Sequence, residues 1–313
     1  MSEVAEKAPG VGALELVPGR PLLPELRRVA REQVEANLDE LAARDLPADE
    51  LVHEVRKRCK KVRALLRLLR PALGEAVYRR ENAAFRDASR LLAEWRDDDA
   101  LLEACEALEG TLGTPGLRRS HSALVGRLRA RREALRADPG HLEERLGAFA
   151  HAMDEARQRM AGWELRGSGR KTLRRGLRRT YARGRRELAR CEEAPGEEAF
   201  HGWRKRVKYH GYHLRLLQGA WPAGLAARLE RVKALGQCLG DHHDLTVLGQ
   251  RVRQEGGRLG LEPRARGAYL RFLKARQRAL ETRALEEGAF FFVDPPAAEA
   301  RRLLAYWELA GRR

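Results

Sequence analysis

Residues 52–71 read VHEVRKRCKKVRALLRLLRP, and the spacing within them decides the fold. Val52, Val55, Cys59, Val62, Leu66 and Leu69 recur every three or four residues, which on a helix makes one apolar stripe that must face a core. His53, Arg56, Lys60, Arg63, Arg67 and Arg70 repeat that spacing one step on and make a second, wholly basic stripe, broadened by Lys57 and Lys61. Between His53 and Arg70 the only acid is Glu54, so the cations lack local partners and repel one another along the helix. An anion, or carboxylates from other helices, must relieve that repulsion. From His53 to Arg67 the stripe runs about 21 Å, which suits a linear polymer better than a single phosphate group.

The same helix occurs twice. Residues 195–218 align with 47–70 at a shift of 148 residues, and 11 of the 24 positions are identical. About two or three identities would be expected by chance, so the chain carries an internal duplication. His201, Arg204, Lys205, Lys208 and Arg215 repeat the basic stripe, and Trp203, Val207, Leu214 and Leu217 repeat the apolar one. Gly211 stands where the first copy has Arg63, leaving a gap in the ladder. A third basic element covers 166–190, where Arg174, Arg178, Arg185 and eight further cations are accompanied by one acid, Glu187.

The remainder of the chain agrees with an all-α fold. Leu, Ala, Arg and Glu dominate, no period-2 alternation is sustained, and prolines punctuate the periodic stretches. Helices are expected near 24–44, 48–70, 75–95, 98–109, 116–136, 140–161, 170–191, 196–218, 223–240, 244–256, 264–287 and 297–310. Short connections between long helices imply bundles. The duplication predicts a flexible N-terminal segment at 1–21, a first helical half at 22–161 and a second at 170–313. Lys and Arg number 62 against 45 acids, a formal net charge of +17, and the usual reason for such an excess is a polyanionic partner. Four separated cysteines suggest neither a zinc site nor a disulfide framework. Neither a signal peptide nor a membrane span is evident, so a soluble cytoplasmic protein without a membrane partner is expected.

The stretches at 52–71 and 200–217, with GLRRTYARGRREL at 176–188 and LGDHHDLTVL at 239–248, resemble the CHAD family, the conserved histidine α-helical domain. The resemblance implies two helical bundles, each four-helix-bundle-like, related by a pseudo-twofold axis with a basic groove or pore between them. It also implies non-catalytic binding of inorganic polyphosphate and association with polyphosphate granules. It carries His53, Arg56, Lys57, Lys60, His201, Arg204, Lys205 and Lys208 over as phosphate contacts, followed by Arg67, Arg215, Arg178, Tyr181 and Arg185. Arg63 and Arg174 join them from the basic stripes. No cofactor, metal or catalytic residue is implied, and the oligomeric state stays open. The first half departs from the pattern: ENAAFRDASRLL at 81–92 keeps Arg86 and Asp87 but lacks the glycine and histidines of GDHHDL.

Two other functions compete. His201, His242, His243, Asp244 and Asp241 fit the residue types of a metal-dependent phosphohydrolase, although adjacent histidines on a helix point about 100° apart. A nonspecific nucleic-acid-binding protein fits the charge, but aromatics are only 6 % and none interleaves the first basic stripe. Weak nonspecific nucleic-acid binding is expected in either case. His53 and His201 each have two roles open to them, as a phosphate donor that strengthens when protonated or as a neutral residue fixing the helix start.

Overall fold

A computed structural model describes residues 14–312. Among them are eleven α-helices, two short 3-10 turns and no strand. The helices are α1 (Leu22–Ala43), α2 (Ala48–Leu73), α3 (Glu75–Leu91), α4 (Ala93–Glu106), α5 (Pro115–Arg136), α6 (Pro139–Ala161), α7 (Gly169–Glu193), α8 (Glu197–Leu216), α9 (Pro222–Glu255), α10 (Pro263–Phe291) and α11 (Pro296–Ala310). No helix among the described residues is long and apolar enough to cross a membrane. The four cysteines are unpaired and buried, as small apolar side chains.

The punctuation works as its chemistry predicts. Thr114, Asp138 and Ser168 cap α5, α6 and α7 by accepting backbone N–H bonds, and proline opens α5, α6, α9, α10 and α11. Pro71 is the exception, because it lies inside α2, which continues to Leu73. The expected helices at 223–240 and 244–256 are one 34-residue helix, α9, running unbroken through Gly240. Helix propensity on both sides outweighs a single glycine, which costs about 1 kcal/mol. In the first half the corresponding stretch does break, at Leu92 rather than near 96.

The apolar stripe of α2 is buried as its spacing requires: Val52, Val55, Cys59, Val62, Leu66 and Leu69 expose nothing. They belong to a large core built from α1, α2, α3, α6, α7, α8, α11, the first part of α9 and the end of α10, with Trp95 of α4. A second core joins α4 and α5 to the later part of α9 and to α10. Both cores therefore draw on residues from 22–161 and from 170–313, and the link at 162–169 does not coincide with a break in packing. Of the expected flexible segment, residues 1–13 lie outside the described residues. Residues 14–21 are docked, with Leu14 and Leu16 buried and the Leu16 N–H donating to the Leu216 carbonyl at 2.9 Å.

α2 lies against both α7 and α8. The approach to α7 depends on Gly176, where a Cβ would meet the Leu68 Cα at 2.7 Å and its carbonyl oxygen at 2.9 Å. Backbone cannot yield as a flexible side-chain tip does, so Gly176→Ala is expected to destabilise the protein by about 1–3 kcal/mol in denaturant unfolding. An unchanged midpoint would show that the α2–α7 contact is looser than this.

Candidate anion-binding site

The two copies of the basic helix meet. Positions Lys60 and Lys208, equivalent in the duplication, are close enough for the Lys208 charge to act on Lys60. Arg67 lays its guanidinium 3.7 Å from the centre of the Tyr209 ring, and at the equivalent place in the other copy Arg215 acts on Lys61. The His213 Nε2–H donates to the Ala64 carbonyl at 2.9 Å and ties the two helices together beneath this row.

Local carboxylates neutralise part of the basic set and leave the rest. Lys57 pairs with Glu54 at 2.8 Å, Arg58 pairs with Glu40 of α1, Arg70 pairs with Glu75 at 2.5 Å, and Arg206 reaches Glu187 at 3.7 Å. Among the described residues no carboxylate lies within ion-pair distance of Lys60, Arg63, Arg67, Arg204, Lys205, Lys208 or Arg215. Arg63 donates to Asn82 at 3.3 Å and Arg67 to the Arg63 carbonyl.

The unpaired amines feel one another. Burial, then Lys208, Arg56, Arg204 and Arg96, push the Lys60 ammonium down to about 7. Burial and Arg204 push Lys208 down to about 8, against the pull of Asp244. Yet Lys60 keeps an exposed side chain and Lys208 a partly exposed one. Arg56 and Arg204 are lowered first by burial as well.

The copies differ in how they hold their arginine. Arg56 donates to the Ser89 carbonyl at 2.5 Å, in the last turn of α3 where the break at Leu92 leaves carbonyls free and the helix dipole favours a cation. Arg204 runs instead over Gly240 in the unbroken α9, where no carbonyl is free, and its buried Nε has no hydrogen-bond partner. At the 148-residue shift Asp244 falls on Arg96. Asp244 attracts Arg204 and Lys208, whereas Arg96 adds to the repulsion on Lys60 and His53. By position in the duplication GDHHDL corresponds to LAEWRD at 92–97, while Arg56 itself is held from Ser89, within 81–92.

The histidines divide. His53 is exposed, lowered first by burial and then by Arg96, and it lines a cavity with Asp49, Glu50, Glu54 and Glu103. His201 stacks on His243 with ring centres 4.3 Å apart. Burial, Lys205 and Arg204 hold His201 at about 4, and burial and Arg204 hold His243 at about 3, so both are neutral at neutral pH. The metal-site grouping does not converge. His242 donates to Glu281 at 3.0 Å, His243 is stacked, and Asp241 is exposed and accepts from Gln237 at 2.7 Å. No group of three or more potential ligands among the described residues is arranged around one ion.

Tyr181 is a correction. Its side chain is fully buried, and its hydroxyl donates to the Phe291 carbonyl at 3.1 Å, so it fixes α7 on α10 and offers nothing to a ligand. Arg174, Arg178 and Arg185 are exposed on the same flank of α7, where Arg185 donates to the Asp294 carbonyl at 3.2 Å. Arg179 and Arg183, on the other flank, are the α7 cations that come near Arg67, Arg206 and Tyr209. Arg179 and Arg183 are among the cations that the sequence shows at 166–190, but nothing in it sets them apart from the rest, and Arg96 lies outside every basic stripe. Carrying the duplication shift past the motif helix would have found Arg96.

The sequence profile of the family described as CHAD domain matches residues 27–253. No curated protein matches the chain. The crystal structure of the CHAD domain from the plant Ricinus communis is similar, with a TM-score of 0.61 at 20 % identity, covering 91 % of this chain and 96 % of that one. At that identity the likeness is one of fold.

Proposed function

The chain belongs to the CHAD domain family, and from that premise we propose that it binds inorganic polyphosphate without catalysis, in a basic groove between its two pseudo-twofold-related halves. The observation that carries this reading is the meeting of Lys60 and Lys208, from two copies of one motif, with Arg204 beside them and, among the described residues, no carboxylate paired to any of the three. A cation row that a protein left to itself would neutralise is kept unpaired. Its self-repulsion is relieved when a polyanion arrives. Lys60 is open to solvent while the cations around it disfavour its own charge. Arginine grips phosphate oxygens through paired hydrogen bonds, and lysine adds compact charge at points where geometry is looser. Such a protein would travel with polyphosphate granules in the cell.

The same cations suit polyphosphate and duplex DNA alike, and one experiment separates the two. Affinities for long-chain polyphosphate and for duplex DNA are compared at the same moderate salt, because both fall as salt rises. Polyphosphate is expected to bind more tightly. Replacing Arg56, Lys60, Arg204 and Lys208 together by alanine is expected to weaken it at least 100-fold, since hydrogen bonds to charged groups are worth about 1.5–3 kcal/mol each. Tighter DNA binding, or intact polyphosphate binding in the quadruple variant, would reject the reading. Phosphate release on adding a divalent metal would reinstate a hydrolase.

A further inference from the structure

Seven residues beyond Lys60, about 10 Å along α2, a second group of cations converges. Arg67 of α2 and Arg179 and Arg183 of α7 border one water-sized cleft with Arg206 of α8, above Tyr78 and Tyr209, so an anion would meet them at its mouth. Arg179 is exposed and Arg67 and Arg183 are partly so. None of the three has a carboxylate within ion-pair distance among the described residues. The Arg67 Nε is buried without a hydrogen-bond partner. Tyr209 supports the Arg67 guanidinium from below, and Tyr78 does the same for Arg70 at 4.6 Å. Arg183 is pushed down by burial and by Arg206, Arg179 and Arg70 in turn.

The duplication does not produce this cluster as a by-product. Arg206 reaches Glu187 of α7 as Arg58 reaches Glu40 of α1, which sets α7 on α1 at a shift of 147 residues. At that shift Arg179 falls on Glu32, which is itself paired to Arg28 at 2.5 Å, and Arg183 falls on Ala36. The equivalent positions of the first half thus carry a paired glutamate and an alanine. Only the α7 copy has been turned into an unpaired arginine cluster.

We propose that Arg67, Arg179 and Arg183 form a second oxyanion subsite, which takes phosphoryl groups of a condensed phosphate separately from the Lys60–Lys208 row. A chain long enough to span both subsites gains from each, so the second one favours long polymers over short ones. The claim rests on polyphosphate as the ligand class, and it places the discrimination of chain length at the α2–α7–α8 junction.

Titration calorimetry with inorganic orthophosphate, too short to span the two, counts the subsites. The full chain is expected to bind two equivalents, and either R179A/R183A or K60A/K208A is expected to bind one. Long-chain polyphosphate is expected to bind R179A/R183A about tenfold more weakly than the parent, the loss of one charge-assisted contact or more. Unchanged stoichiometry and unchanged long-chain affinity in R179A/R183A would overturn the subsite and leave the Lys60–Lys208 reading standing. Loss of binding in R179A/R183A with none in K60A/K208A would uphold the subsite and reject the Lys60–Lys208 row. Crystallising the parent protein with tungstate gives a direct check. An anomalous peak among the three guanidinium groups supports the subsite, and peaks confined to the Lys60–Lys208 row count against it.

Discussion

Lys60→Met with Lys208→Met is expected to weaken long-chain polyphosphate binding about 100-fold at pH 7 and to flatten its pH dependence. Both amines sit well below the ordinary lysine value, at about 7 and about 8, because burial and neighbouring cations disfavour the charged form. A polyanion binds the protonated amines and restores their charge. Binding near pH 8 therefore takes up protons, and affinity falls as pH rises from about 6.5 to about 8.5. Calorimetry in two buffers of different ionisation enthalpy reads that uptake directly. It is expected in the parent and absent from the double variant, and equal proton uptake in both proteins would rule out these lysines as the source. Stability without ligand has the opposite sense. A lysine whose folded value lies below its unfolded value binds fewer protons folded than unfolded between those two values, so stability rises with pH across about 7–10.5. The double variant loses that rise and is more stable than the parent at pH 6–7. The same two residues thus weaken the empty fold and strengthen the loaded one.

The helices were legible because their signals are periodic and local. The α2 stripe, the caps and the proline starts lie in adjacent residues, and a single chain displays them. What escaped reading depended on which helix ends face which side chains. Arg56 and Arg204 are identical in the motif, yet one finds a free carbonyl at the end of α3 and the other crosses an unbroken α9. The difference lies in whether a helix breaks at Leu92 or runs on through Gly240, and propensity does not settle a break of one residue. Tyr181 enters as a contact only through the family resemblance, whereas the helix period groups it with Leu173, Leu177, Gly184 and Leu188 on the packed side of α7, and it does face inward. Arg179 and Arg183 were hidden among the other cations of that helix. Only the packing partners say which flank meets α2.

Glu299→Gln is expected to cost about 3–5 kcal/mol, the largest loss of stability foreseen for a single substitution here. Glu299 is fully buried on α11, with Arg228 of α9 at 2.6 Å, His210 of α8 at 3.4 Å and Arg302 at 3.6 Å. Removing the carboxylate charge leaves the Arg228 guanidinium, whose Nε is already unpartnered, with only Asp294 at 3.8 Å. Heat or denaturant unfolding reads the loss, with a melting temperature lower by about 10 °C. Burial would raise the carboxyl of Glu299, but His210, Arg228 and Arg302 together hold it below the ordinary value. A depressed folded value means that this stabilisation is complete above about pH 4.5 and is lost as pH falls through the folded value. The parent is therefore expected to lose stability in acid more steeply than the variant. His210 lies on the face of α8 turned away from Lys208, so the cluster braces α8 from behind without reaching the ligand. Below its lowered melting temperature the variant is expected to bind polyphosphate as the parent does. Replacing both partners, as in R228M/E299L, removes the stranded charge and is expected to recover part of the loss. If the double variant is as unstable as the single one, the damage comes from packing on α11, and the ion cluster is not what holds that helix in place.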